Sequence, residues 1–163
     1  QGDRVQVTGL TGFYGGKTNI NDRHNKDNEF EVSVLGQPGD PTPTPITDLA
    51  AAKAFDQTRQ TGGEYYQGRL VVLKDVQIVD GEWANGSIIV VEDASGNQID
   101  VDLRYQTGIA DHPQPEGRFD LVGIFNQEDT EPPHTDGYIV WPRSYEDFRT
   151  SATSSTAHWE EMQ

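Results

Sequence analysis

Five extended stretches, separated by turn residues, fill residues 68–148 and restrict the chain to an all-β architecture. The first, residues 68–80 (GRLVVLKDVQIVD), carries apolar alternation over a length that predicts a bent strand serving two neighbours. The second and third, residues 86–93 (GSIIVVED) and 97–104 (NQIDVDLR), are joined by Ala94-Ser95-Gly96. In the third, Ile99, Val101 and Leu103 point one way and Asp100 and Asp102 the other, the period of a half-buried strand. The fourth is residues 117–127 (GRFDLVGIFNQ) and the fifth residues 137–144 (GYIVWPRS), with the polar loop EDTEPPHTD between them.

Upstream, Val5 and Val7 alternate with Arg4, Gln6 and Thr8, so a strand begins near the first residue. Phe13-Tyr14-Gly15-Gly16 reads as a turn with a short partner at residues 17–20. Residues 21–29 form a solvated loop, and Phe30, Val32 and Val34 share one face of a further strand. Residues 2–9 (GDRVQVTG) are similar to residues 116–123 (EGRFDLVG), and each copy is followed by a polar loop and another strand. The first ~35 residues therefore read as the last two strands of a unit whose beginning is missing, unless the match is a coincidence between Gly-bounded strands.

Residues 37–45 (QPGDPTPTP) read as a semi-rigid linker. One short helix is expected after it, capped by Thr47 or Asp48, running from Leu49 to Phe55 and stopped by Gly62-Gly63. Its apolar face, Leu49, Ala52 and Phe55, is thin, which predicts a helix laid across the end of a sheet and outside the core. Past Phe148 the Ser/Thr-rich composition reads as a tail. The expected organisation is thus a partial β unit (1–36), linker and helix (37–63), a β-barrel (64–148) and a tail (149–163).

Composition narrows the partners. A hydrophobic fraction of 33% suffices for one small β core, and 9 prolines with 17 glycines suit short strands and many turns. A net charge of −15 without any basic run repels a phosphate backbone, so nucleic acid is not an expected partner. No stretch approaches the ~18 apolar residues of a membrane span. The lack of cysteine removes disulfides and thiolate chemistry but leaves the compartment open, since bacterial secreted proteins often lack cysteine too. A chain starting at Gln1 has lost a leader or is an excised segment.

No constellation for catalysis is visible. His24, His112, His134 and His158 have no partner at metal-ligand spacing, and serine-nucleophile, HExxH and phosphate-loop motifs are absent. Carboxylate pairs such as Asp100/Asp102 and Glu128/Asp129/Glu131 arise from 27 acids by composition alone. Asp93, Ser95 and Asn97, with Glu92 beside them, crowd a hairpin with oxygen atoms suited to Ca²⁺, although the same residues make an ordinary turn. A second oxygen-rich loop holds Asp22, Asn25, Asp27 and Glu29. Among the aromatics, Trp83 at a hairpin tip is placed to stack on a sugar or a neighbouring protein, and Trp141 lines the core or a groove. Tyr65 and Tyr66 cover a barrel end or meet a partner, and Trp159 in the tail docks on another surface or is accidental.

The pattern GRLVVLKDVQIVDGEW, GSIIVVEDASGNQIDVDLR, EGRFDLVGIF and GYIVWPRSYEDF resembles the OB-fold-like modules of large bacterial secreted proteins. Those modules accompany extracellular endonuclease/exonuclease domains and occur in surface proteins. Residues 1–20 (QGDRVQVTGLTGFYGGKTNI) resemble the second half of such a module. The resemblance implies a five-stranded OB-like, partly open barrel, here preceded by a partial β unit and one short helix. It implies no catalytic site, because the nuclease centre of those proteins lies in a separate domain, and the aromatic-and-basic groove of nucleic-acid binders is missing. The expected function is a non-catalytic extracellular structural or assembly protein of the bacterial surface. Copies of the chain would associate through strand complementation, with Val5 and Val7 as the exchange segment, and a heterologous contact of that kind builds a filament. The alternatives are a polysaccharide-binding module using Trp83, an accessory module of a secreted nuclease, or a fragment whose missing half lies upstream.

Overall fold

A computed structural model of the chain describes residues 2–22, 29–106 and 108–150. In chain order the elements are β1 (Arg4–Thr8), β2 (Leu10–Tyr14), β3 (Lys17–Asn21), β4 (Glu31–Gly36), β5 (Thr44–Ile46), α1 (Leu49–Lys53), α2 (Gly62–Tyr66), β6 (Leu70–Asp80), β7 (Ile88–Glu92), β8 (Gln98–Asp102), β9 (Phe119–Gln127), β10 (Tyr138–Trp141) and β11 (Phe148–Thr150). Strands β6, β7, β8, β10 and β9 pair in that order, and β9 returns to β6, which closes a five-stranded OB-like barrel. Three seams are antiparallel meander or hairpin contacts, and β9–β6 is the antiparallel closure. The β8–β10 seam is parallel and short, with Ile139 opposite Asp100 and Val140 opposite Val101. The barrel expected to be partly open is joined at every seam.

Strand β6 shows how one strand serves two neighbours. Its register with β9 runs from Leu70–Ile124 to Leu73–Leu121 and then shifts before Val76. At the shift Asp75 adopts a left-handed φ of 53°. The backbone N–H of Asp75 donates to Asp120 Oδ1 at 3.0 Å, and the Lys74 ammonium pairs with the other oxygen of Asp120. Beyond this bulge the strand turns from β9 to β7, with Gln77 opposite Glu92 and Ile78 opposite Val91. Leu73, Ile89, Val101, Leu121, Phe125 and Val140 fill the interior with no exposed surface, each contributing roughly 1.5–3 kcal/mol of burial. Asp102, expected on the wet face, is also buried, because Arg104 covers it with two hydrogen bonds of 2.9 and 2.7 Å.

Four expectations require correction. The linker ends in a strand: β5 lies parallel to β6 with Pro45 opposite Val72, a place on a sheet edge where a missing N–H is tolerated. Helix α1 is capped by Asp48, whose Oδ1 accepts from Ala51 N at 3.0 Å, but it ends at Lys53, and its Leu49 and Ala52 belong to the core while Phe55 is exposed. Gly62-Gly63 does not stop a helix; it starts a second one. The reason is close approach: Gly63 N donates to Ala54 O at 3.0 Å, satisfying a carbonyl left by α1, and a Cβ on Gly62 (φ +60°) would lie 1.9 Å from that oxygen. Finally, the region assigned to a tail begins with β11, which pairs with β9 as far as Thr150–Phe119. Trp159 lies outside the described residues.

Candidate assembly surface

The N-terminal strands form two ribbons. In one, β1 pairs with β4, and in the other β2 pairs with β3 around Gly15-Gly16, whose φ values of +56° and +83° suit a two-residue hairpin turn. The arrangement repeats the second half of the barrel strand for strand. The first half of β9 pairs with the terminal strand β11, with Phe119 opposite Thr150 and Leu121 opposite Phe148. Its second half pairs with the next strand, β10, with Ile124 opposite Trp141 and Gln127 opposite Tyr138. Likewise β1 pairs with the terminal β4, with Val5 opposite Val34 and Val7 opposite Val32, and β2 pairs with the next strand, β3, with Leu10 opposite Asn21 and Phe13 opposite Thr18.

One glycine in each copy makes the equivalence specific. A Cβ on Gly123 would stand 2.5 Å from Val140 Cγ1 and 2.8 Å from Trp141 O. A Cβ on Gly9 would stand 2.8 Å from Ile20 Cγ2 and 3.1 Å from Asn21 O. Both glycines mark the point where the chain passes from one pairing partner to the next, Gly123 within β9 and Gly9 at the bend between β1 and β2, with a neighbour too close for a side chain.

The two copies differ in what covers them. Phe119 and Leu121 face the barrel interior at 3% and 0% exposure, sealed by β6 to β8. Their counterparts Val5 and Val7 are 44% and 39% exposed, and Val32, Val34 and Phe30 beside them are exposed too. Among the described residues the β1–β4 sheet has two strands only. Among the described residues the unit pairs like the second half of the barrel, its apolar face is exposed, and β4 is the strand paired with β1.

The half-barrel is anchored by its hairpin tip. Asp129 N donates to Gly15 O at 3.1 Å, and Gln67 Nε2 donates to Gly16 O at 3.3 Å and to Gln127 Oε1 at 2.9 Å. Gln127, fully buried at the end of β9, donates through Nε2 to His134 O (3.1 Å) and Asp136 O (2.8 Å). Gly16 must be glycine here, since a Cβ would fall 2.3 Å from the Gln127 side chain. Phe13 packs edge-on against His134 with centroids 5.2 Å apart, and Lys17 lies 4.9 Å over the Trp141 ring and 3.7 Å from Glu128. Neither Gln127 nor Gln67 stands out in the sequence; a glutamine closing an apolar strand is the one trace.

The other expected sites are occupied from within. Asp93 Oδ1 accepts from Ser95 N and Asn97 N (both 2.9 Å), and Oδ2 accepts from Leu49 N (3.0 Å) and Asn97 Nδ2 (3.1 Å). The carboxylate's four lone-pair positions are therefore filled by N–H groups, and the Asp93/Ser95/Asn97 hairpin is a turn that also caps α1. Burial opposes the Asp93 charge, but these donors, led by Leu49 N and Asn97 N, outweigh it and hold the carboxyl below its ordinary range. Among the described residues no group of three or more His, Cys, Asp or Glu is placed to hold a metal.

Trp83 lies in the β6–β7 connection and is half-buried against the core. The indole packs edge-on to Phe148 at 5.3 Å and donates from Nε1 to His112 O at 2.9 Å, which fixes it against the barrel. Tyr66 leans on Phe125 at 5.7 Å, while Tyr65 meets Tyr66 edge-on and lies beneath the Arg69 guanidinium. The suggested carboxylate pairs are in structural use: Arg104 holds both Asp102 and Glu128, and Asp129 accepts from Glu131 N at 3.0 Å. His112 stacks on Tyr145 and His134 bonds Asp129 O, whereas His24 and His158 lie outside the described residues.

The fold is a closed five-stranded OB-like barrel with two short helices, preceded by two β ribbons that pair like the barrel's second half. Comparison with protein-family models, curated proteins and solved structures gives no match.

Proposed function

We propose that this is a non-catalytic structural module of the bacterial cell exterior whose half-barrel joins it to neighbouring polypeptide by strand complementation. The observation that carries the reading is the contrast between two equivalent surfaces, Phe119/Leu121 sealed and Val5/Val7 open. An unpaired edge beside an apolar face is a template for added strands. Where the neighbouring polypeptide supplies the complementing strands, such a contact suits a fibril or surface array. Two further points support a structural role. The carboxylates with displaced pKa values, Asp56, Asp93, Asp129 and Glu146, are all displaced downward, the reverse of what a general acid at neutral pH requires. The exterior location rests on the resemblance to modules of secreted proteins, and no helix among the described residues is long and apolar enough to cross a membrane.

Light scattering on a sizing column, with negative-stain microscopy and binding of an apolar fluorescent dye, tests the reading across a concentration series. The wild-type chain is expected to bind dye at its open apolar face, and Val7→Asp to abolish that binding without unfolding the barrel. A chain that stays monomeric at high concentration and binds no dye refutes it.

A further inference from the structure

We propose that the half-barrel is built to receive a three-stranded antiparallel meander from polypeptide outside these 163 residues, and that no second copy of the chain is its proper donor. The inference rests on the complementation reading above and specifies its partner.

The closed barrel supplies the template. There β6, β7 and β8 close on β9 and β10: β6 runs antiparallel along β9, and β8 runs parallel to β10. By the equivalence of the two halves, the first donor strand lies antiparallel along β1 and β2 on the side that β6 takes against β9, and the third lies parallel to β3 beside Ile20. The donor's inward residues alternate, as Val71 and Leu73, Ile89 and Val91, Ile99 and Val101 do in the barrel. They must also be larger on the first strand, since the half-barrel offers Val5 and Val7 where β9 offers Phe119 and Leu121.

Stoichiometry excludes a copy as the donor of the meander. Each chain holds one meander (β6 to β8) and two acceptors (β1 to β4 and β9 to β11). A copy that donated its meander would open its own barrel and expose Leu121 and Phe125, so any ring or chain of copies leaves one acceptor in two unfilled. Nothing left over within the chain suffices either: the longest stretch outside the described residues is 151–163, far shorter than the 70–102 span of the meander.

The test is a chimera of the full chain in which a second copy of residues 68–117 directly precedes Arg4, as residues 68–117 precede Arg118 in the barrel. Val5→Phe and Val7→Leu restore the inward residues that this meander meets there. Hydrogen exchange of β1 and β2 is read alongside dye binding and size. The expected result is exchange on the order of 100-fold slower than in the parent chain, loss of dye binding and a monomer. Leu73→Asp in the added copy alone should reverse all three. Rapid β1 exchange in the chimera with the 68–150 barrel still protected overturns the inference. If instead the parent chain forms ordered assemblies with β1 protected, a copy is the donor: this inference falls while complementation stands. If the parent neither associates nor binds dye and the chimera leaves β1 unprotected, both fall.

Discussion

The openness of the N-terminal half can be measured by truncating equivalent residues in the two copies. Leu121 has no exposed surface and lies between Leu73 of β6 and Phe148 of β11. Leu121→Ala leaves a cavity that the closed barrel cannot collapse, and buried Leu→Ala changes cost about 2–5 kcal/mol. Val7 occupies the same place in β1, opposite Val32, yet its outer side meets solvent. Val7→Ala opens no cavity, and only the loss of β-propensity and partial burial remains, at most ~1 kcal/mol. In a domain of this size each kcal/mol moves Tm by about 4–8 °C, so Leu121→Ala should lower it by at least ~8 °C. Urea unfolding followed by tryptophan fluorescence is the assay, because Trp83 and Trp141 both belong to the barrel. Equal destabilisation by the two substitutions would show that Val7 is packed, and the half-barrel would not be open.

Gln127→Leu should cost on the order of 1–3 kcal/mol, since it strands the carbonyls of His134 and Asp136, and faster hydrogen exchange at Gly15 and residues 128–137 should report release of the hairpin tip. Gly123→Ala should unfold the barrel or nearly so, because its Cβ meets the Trp141 backbone at 2.8 Å, whereas Gly9→Ala should be milder, because its nearest neighbours are the side chains of Ile20 and Phe30 at an open face; circular dichroism melts of the pair check this. The folded pKa of Asp93 lies below its ordinary 3.8, so its contribution to stability is complete above that value and is lost as pH falls through the folded pKa. Denaturant titrations between pH 7 and 3 should therefore show a shallower acid-side loss for Asp93→Asn than for wild type. With the four acceptor positions of Asp93 taken, Tm in millimolar Ca²⁺ and in chelator should agree; a saturable Ca²⁺-dependent rise abolished by Asp93→Asn would overturn that assignment.

The barrel was legible because β structure writes its period into sequence. Ile99, Val101 and Leu103 alternate with acids, and the length of residues 68–80 exceeds what one neighbour can pair, so both the strands and the bend in β6 follow. What was not legible depends on contacts between residues far apart. Pro45 in a proline-rich run gives no local strand signal, and β5 exists only because the edge of β6 is free to receive it. Gly62-Gly63 is a stop signal by local rules, and it becomes a start because α1 presents the Ala54 carbonyl at contact distance. Asp93, Ser95 and Asn97 are chemically fit both for a cation and for a turn, and the decision falls to the Leu49 N–H, which is 44 residues away along the chain. Trp83 lies in the β6–β7 connection, as its sequence setting implied, but its contacts with Phe148 and His112, far along the chain, leave no local signal.

The half-barrel is the instructive case, because there local pattern and tertiary context part company. Residues 2–9 carry the alternation and the terminal glycine of residues 116–123, and both hand over between partners at that glycine, although β9 runs on through Gly123 while the chain bends at Gly9. Burial, by contrast, is a property of what faces a strand. The alternation of Val5 and Val7 would be a liability on a strand meant to stay wet, because an unpaired edge with an apolar face invites uncontrolled pairing, and natural edges are blunted by charge, proline or bulges. Here the register shift between Arg4 and Val5 is the one such device in β1, and it lies at the strand's beginning, outside the Val5–Val7 stretch. That apolar stretch adjoins a hairpin held at its tip, where Asp129 and Gln67 bond the Gly15 and Gly16 carbonyls above the buried Gln127, so the anchored and the exposed parts of the unit lie side by side.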